Sequence, residues 1–288
     1  MARELWAFVV HLRLHYQVFI LSGGYLLGGL LQPEIHLLPF SIQFVNVHVL
    51  LNGGVTAFNS YFDEDEGPIG GLENPPELAR WTLPASVALQ LAGAAIGWLQ
   101  GPWFVGLVLS TILLSVAYSA PPLRWKGHPW LSFVAVGIGT GTNTFLMGYI
   151  AAGPEPISAT VLLAAMGVAL LLLSLYPVSQ IYQMQEDAAR GDVTFATRYG
   201  VRGVQRLYRT VYPIGLLFAA AGVFSVRPVL AGALLLGGAA GGTWAHRVLN
   251  RLRGRPEEYR GVMRVKYGAS LSFVSLAAVW LGWSFWAP

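Results

Sequence analysis

The chain contains no cysteine. That excludes a disulfide framework, a thiolate nucleophile and a thiolate metal site. Charge is almost as scarce: Asp, Glu, Lys and Arg make up 11% of the 288 residues, against about 25% in a soluble globular domain. No P-loop, dinucleotide-binding glycine fingerprint or Ser/His/Asp arrangement occurs. Glycine is plentiful, and pairs such as Gly23-Gly24, Gly28-Gly29 and Gly53-Gly54 fall inside apolar stretches. There they suit close helix packing and not a phosphate loop.

Long apolar runs take the place of charge. Stretches free of Asp, Glu, Lys and Arg cover 14–33, 35–62, 81–123, 127–154, 156–185, 210–226, 228–246 and 267–288. About 20 mostly apolar residues cross a bilayer as a helix. The longest run breaks at Gln100-Gly101-Pro102, where Gly and Pro punctuate. The reading is an all-α polytopic membrane protein, a bundle of about nine transmembrane helices in one domain over 1–288. The spans fall near 15–31, 38–58, 82–99, 103–120, 131–152, 158–180, 210–226, 228–247 and 268–286, the seventh being short. Met1–Arg13 lacks the apolar stretch and small-residue cleavage site of a removable signal, so the first span is expected to act as the insertion signal.

With a cytoplasmic amino terminus, nine spans place 17 of the 18 Lys and Arg residues on the cytoplasmic side, Arg227 being the exception. The positive-inside rule therefore supports both the span count and the orientation. The expectation is an integral protein of the cell inner membrane whose polar loops face the cytoplasm. The seven bases between Arg247 and Lys266 read as contact with anionic lipid headgroups. No nucleic-acid partner is expected.

Topology does not require the acids. The second span ends in Asn59-Ser60-Tyr61-Phe62-Asp63-Glu64-Asp65-Glu66, and the sixth is followed by Gln183-Met184-Gln185-Glu186-Asp187. Like charges this dense need compensation, and a hard divalent cation that takes carboxylate oxygens supplies it. Asn59 and Asp63 are four residues apart, as are Gln183 and Asp187, so each pair shares a helix face. The two pairs could together hold Mg²⁺ and a diphosphate, with Arg124, Lys126, Arg190 and Arg198 as nearby bases.

This pattern resembles the UbiA superfamily of intramembrane prenyltransferases, which carry aspartate-rich motifs after the second and sixth of nine helices. Asn59 and Asp63 match the first motif, and Asp187, Gly191, Thr194 and Gly200 the second. Tyr118-Ser119-Ala120-Pro121-Pro122-Leu123-Arg124 is similar to a stretch of chlorophyll synthases. Ser60 replaces the first motif's usual second residue, Gly67 its last Asp, and Gln183 the first Asp of the second motif. Pro68 argues against continued helix there.

The resemblance implies Mg²⁺-dependent transfer of a prenyl group from a polyprenyl diphosphate to a small lipophilic acceptor in the membrane: aromatic, a quinone precursor or tetrapyrrole-like. It implies Asn59, Asp63, Asp65 and Asp187 as metal ligands, Gln183 and Asp65 being the weaker candidates. Lys126 and Arg124 would hold the diphosphate with Arg198 behind them, and Tyr118 would shelter the allylic cation through its ring face. Tyr61, Phe62, Tyr149 and Tyr182 are further aromatic candidates. Asn143 would either line the acceptor pocket or bond to a neighbouring helix. Two alternatives stay open: a terpene cyclase on the same scaffold, and a transporter or non-catalytic membrane protein.

Overall fold

The computed structural model describes residues 1–63 and 67–286. Ten helices carry the fold among them: α1 (Ala2–Leu30), α2 (37–63), α3 (Thr82–Gln100), α4 (Pro102–Ser119), α5 (Leu131–Ala152), α6 (Ala159–Gln180), the short α7 (Met184–Ala189), α8 (Phe195–Phe224), α9 (Pro228–Leu249) and α10 (Tyr259–Trp286). All but α7 are long enough to span a bilayer, and eight also qualify by composition.

The ninth long helix is α2, which carries Gln43, Asn46, His48 and Asn52, all buried. Two of these bond to a neighbour: Gln43 donates to the Ile96 carbonyl at 3.1 Å and Asn46 to the Gly93 carbonyl at 3.0 Å, both on α3. Polar residues inside a membrane bundle face its interior and bond there. Asn143 on α5 does the same, bonding to Ser110 and Thr111 of α4 at 3.1 and 3.0 Å. Of its two expected roles, the helix–helix bond is the one seen.

The short seventh span needs correction. Its helical segment, α8, starts at Phe195, kinks at Gly200, where φ is +65°, and then takes in Arg202, Arg206 and Arg209. Those three arginines are exposed while Val204 and Tyr208 are buried. Bases three and four apart share one face and extend outward on long stems, so the helix continues through residues that end a hydropathy window.

Glycine pinches the bundle at the end away from the charged loops. A Cβ on Gly28 of α1 would lie 2.1 Å from the Phe145 carbonyl oxygen, and one on Gly148 of α5 2.1 Å from that of Tyr25. The two backbones touch, as small residues allow between membrane helices. Arg227 donates to the carbonyls of Leu30, Gln32 and Pro33 at 3.1–3.3 Å. The one base on that face thus satisfies carbonyls left open at the C-terminus of α1. α10 packs on α1 and completes the ring. The interior stays open at the loop end. There α1 and α5 each contain a π-helical turn, at Gln17–Leu21 and Val136–Thr142, a feature frequent at functional sites.

Candidate active site

The helix ends and loops on the charged face enclose a cavity of about 260 Å³. Asn59 and Asp63 come from the last described turns of α2. Ile69 and Gly70 also line the cavity, with His15 bonded to the adjacent Gly71 carbonyl at 3.0 Å. Gln183 stands at the head of α7, where its carbonyl accepts from the Asp187 amide at 2.8 Å. All four residues of the two spaced pairs line the cavity. Asp65 lies outside the described residues.

The bases between the acids are ordered by ion pairs. Lys126 is buried and donates to Asp63 Oδ1; its Nζ is 4.0 Å from Asp192 Oδ2. Arg124 makes a two-pronged contact with Asp192 at 3.1 Å through each prong. Arg190 bridges the two acidic segments, donating to the Asp63 carbonyl at 2.9 Å and meeting Asp187 Oδ1 at 3.5 Å. Thr194 donates to Asp187 Oδ2 at 3.2 Å. Burial in the α7 loop pushes the Asp187 carboxyl up to about 6, against the pull of the Arg190 and Lys126 charges and the Thr194 hydroxyl.

These donors suit a small hard cation. Among the described residues, no three His or acidic side chains form a ready metal cage. Mg²⁺ does not need one: it binds one or two carboxylates and fills its octahedron with water and phosphate oxygens. Asp63 and Asp187 supply the carboxylates. The Asn59 amide nitrogen donates to Ser119 at 3.1 Å, so its carbonyl oxygen is the end left to a metal. The nearby Lys126 and Arg190 match the anion that would accompany the ion.

Tyr118 lines the cavity, its hydroxyl 3.0 Å from that of Tyr176. Tyr182 also lines it, but Tyr61, Phe62 and Tyr149 do not. Tyr149 sits at the opposite end of α5 and donates to the Pro156 carbonyl at 3.2 Å. Arg124, expected beside Lys126 on the diphosphate, does not line the cavity and reaches its wall only through Asp192. Arg198 needs correction: it is exposed on the first turn of α8, its guanidinium 5.9 Å from the Tyr199 ring centre, away from the cavity.

Sequence reasoning missed three residues. Asp192, which lines the cavity and holds both Arg124 and Lys126, lies in the acidic stretch after the sixth span and drew no separate role. Arg13 and Lys266 were counted as topology signals, yet both are buried and line the cavity. A second cavity of about 270 Å³ adjoins the first and shares Ile20, Leu21, Thr140, Leu172, Leu175 and Ser270 with it. Leu216, Leu234 and Phe273 help to make its far wall apolar.

A helical membrane bundle with paired acidic helix ends over an acid-and-base cavity, itself leading into an apolar one, defines the class of protein. The family is specific: residues 18–266 match the UbiA prenyltransferase family, and the chain belongs to it. It is 32% identical over 185 residues to digeranylgeranylglyceryl phosphate synthase of Methanothrix thermoacetophila, a match covering 62% of this chain and 65% of that one. It is 35% identical over 68 residues to the bacteriochlorophyll synthase 33 kDa chain of Cereibacter sphaeroides, covering 24% and 22%. It is 25% identical over 159 residues to 2-acylphloroglucinol 4-prenyltransferase of Humulus lupulus, covering 52% and 38%. The chain thus spans less than two thirds of the length of these relatives. The fold matches a UbiA homolog from Archaeoglobus fulgidus bound to GPP and Mg²⁺, with a TM-score of 0.73, 15% identity, and coverage of 96% of this chain and 99% of that one. The same homolog bound to DMAPP and Mg²⁺ gives 0.71 at 16% identity, covering 96% and 99%.

Proposed function

We propose that the chain, acting as one domain, transfers a prenyl group from a polyprenyl diphosphate to a lipophilic acceptor, with Mg²⁺ as cofactor and the site facing the cytoplasm. The observation that carries this reading is the convergence of Asn59–Asp63, Gln183–Asp187 and Lys126 at one cavity that continues into an apolar one. Family membership supports it, as do the prenyl diphosphates and Mg²⁺ named with the matched Archaeoglobus fulgidus structures.

Asn59, Asp63 and Asp187 would hold the ion, with Gln183 beside them. Bound Mg²⁺ supplies charge neutralisation of the diphosphate as it leaves. Lys126 changes partner, from the Asp63 carboxylate to a diphosphate oxygen, and Arg190 adds a second positive group beside it. Fixed donors aimed at charge that develops in the transition state lower the barrier without reorganisation. Asp192 holds Lys126 and Arg124 at that mouth. The prenyl tail lies in the mostly apolar second cavity. When the C1–O bond breaks, its electron pair leaves with the diphosphate. The Tyr118 and Tyr176 rings then flank the electron-poor carbon until an acceptor atom bonds to it and releases its proton. Glyceryl phosphates, tetrapyrroles and acylphloroglucinols, taken from the relatives' names, head the acceptors to test, with quinone precursors.

The experiment uses protein in nanodiscs with labelled geranylgeranyl diphosphate, Mg²⁺ and membrane lipid extract, alongside Asp63→Ala and Asp187→Ala. The expected result is Mg²⁺-dependent diphosphate release with a new prenylated mass, lost in both variants. Release accompanied only by a cyclised hydrocarbon would replace transfer with cyclisation. Folded protein that neither binds nor turns over the donor would overturn the catalytic reading.

A further inference from the structure

α1 is bent near its start. Arg13 has left-handed backbone angles, φ +50° and ψ +45°, and parts a first helical segment, Ala2–His11, from residues 14–30. A non-glycine residue visits that region singly and does not carry a helix through it. Residues 14–30 amount to about 25 Å of helix, close to the roughly 30 Å of a hydrocarbon core. The crossing of the bilayer therefore does not need the first segment.

One side of Ala2–His11 packs on the bundle. Ala7 and His11 are buried, and the Phe8 ring lies 5.2 Å from that of Trp81. His11 Nε2 bonds to the Pro76 carbonyl at 2.8 Å. Both partners belong to the stretch that leads into α3 at Thr82, so the segment runs beside the ends of the spans on the charged-loop face. Just past it, Arg13 and His15 bond to the carbonyls of Gly70 and Gly71 at 3.5 and 3.0 Å.

The other side is open and apolar. Leu5, Trp6 and Val9 are 50%, 66% and 47% exposed. Spaced three and four apart, they share a face with exposed Ala2, and on a helix the four fall within about 100° of arc. Glu4 falls opposite that arc and Arg3 at its edge. Water is a poor solvent for such a stripe. The exposed apolar surface continues past the bend at Leu14, Val18 and Phe19 of the span itself, whose outer face meets lipid. Tryptophan at a span end is characteristic of the membrane–water interface. Continuity with the lipid-facing belt thus names the bilayer as what covers the stripe.

We infer that Ala2–His11 is an interfacial anchor: it lies in the plane of the membrane, with Leu5, Trp6 and Val9 seated at the boundary between headgroups and acyl chains. Amphipathic helices of this kind sink their apolar face about 5–10 Å into that boundary. The bonds from His11, Arg13 and His15 to Pro76, Gly70 and Gly71 then tie a wall of the cavity to the bilayer surface.

The chain has no cysteine, so a nitroxide can be attached at one position at a time. Ala2→Cys, Glu4→Cys, Leu5→Cys, Trp6→Cys and Val9→Cys are spin-labelled in nanodiscs. Depth is read from collisions with oxygen and with a water-soluble nickel chelate. Labels at 2, 5, 6 and 9 are expected to favour oxygen and to agree in depth within about 5 Å, the radius of a helix with its side chains. The label at position 4 should favour nickel. A segment that continued the span would spread the depths from position 2 to position 9 by about 10 Å, from the helical rise per residue, and that gradient would overturn the inference. Preference for nickel at all five positions would overturn it too, by placing the segment in water. Exclusion of both reagents, with dipolar broadening between labels, would assign the stripe to a second copy of the chain and overturn it likewise. All five positions are exposed, where substitutions usually change stability little; a position whose variant lost its thermal transition is carried by the others.

Discussion

Lys126 and a metal ion compete for one carboxylate, so Lys126→Met should make the ligand-free protein bind Mg²⁺ more tightly while destroying turnover. The ammonium donates to Asp63 and lies 4.0 Å from Asp192. Two unit charges at that separation attract by about 4 kcal/mol at an effective dielectric constant near 20. The Asp63 contact is the closer of the two, and both side chains are buried. Mg²⁺ must displace that contact in wild type and faces no such competitor in the variant. Even if water at the mouth screens two thirds of the attraction, about 1.4 kcal/mol remains, a tenfold gain in Mg²⁺ affinity. The assay is calorimetric titration of purified protein without diphosphate. The same substitution removes the buried Lys126–Asp63 contact in metal-free protein, so the melting temperature should fall and recover with Mg²⁺ to a greater extent than in wild type. With donor present, kcat/KM should drop by about 10²- to 10³-fold, the usual cost of losing a preorganised charge-stabilising donor. A folded Lys126→Met protein that binds Mg²⁺ no more tightly than wild type would refute the competition.

Three further outcomes are expected. Asp187 titrates near 6 in the free protein because it is buried; below that pH a proton must leave before a metal binds, so Mg²⁺ affinity should plateau above neutrality and fall from pH 7 to pH 5. Asp187→Asn should bind weakly with no such slope, and an affinity that rises on acidification would contradict the assignment. Gly148→Val places side-chain atoms against a backbone carbonyl that cannot retreat; it should destabilise the bundle by about 1–3 kcal/mol or more as an overpacking change, read as a lower thermal transition and poorer recovery in detergent. Arg198→Ala removes an exposed base outside the cavity, and kcat/KM should stay within about twofold, as surface changes usually do; a hundredfold loss would mean the side chain swings in during turnover.

Much of the fold was legible because a bilayer imposes a length and a charge rule on every helix that crosses it. The apolar runs located the spans, and the two four-residue spacings marked Asn59, Asp63, Gln183 and Asp187, which do meet at one cavity. Hydropathy failed where helix and charge coexist. α8 continues through Arg202, Arg206 and Arg209 because they share an outer face, and a linear window sees only that an apolar run has ended. Arg198 was misplaced for a related reason: nearness in sequence to Asp187 says nothing of which side of a helix turn a side chain leaves.

Sequence by itself determined that this is a helical membrane bundle with acidic motifs and bases gathered at one face, since hydrophobic length, charge asymmetry and residue spacing are properties of the chain. Only tertiary structure decided which bases serve the cavity. Arg13, Arg198 and Lys266 carry the same sign in similar loop-end positions, and a base at a span end has one signature in sequence whether it faces lipid, solvent or substrate. Its role depends on burial and on which acids are already paired, and those follow from helices distant in sequence coming together.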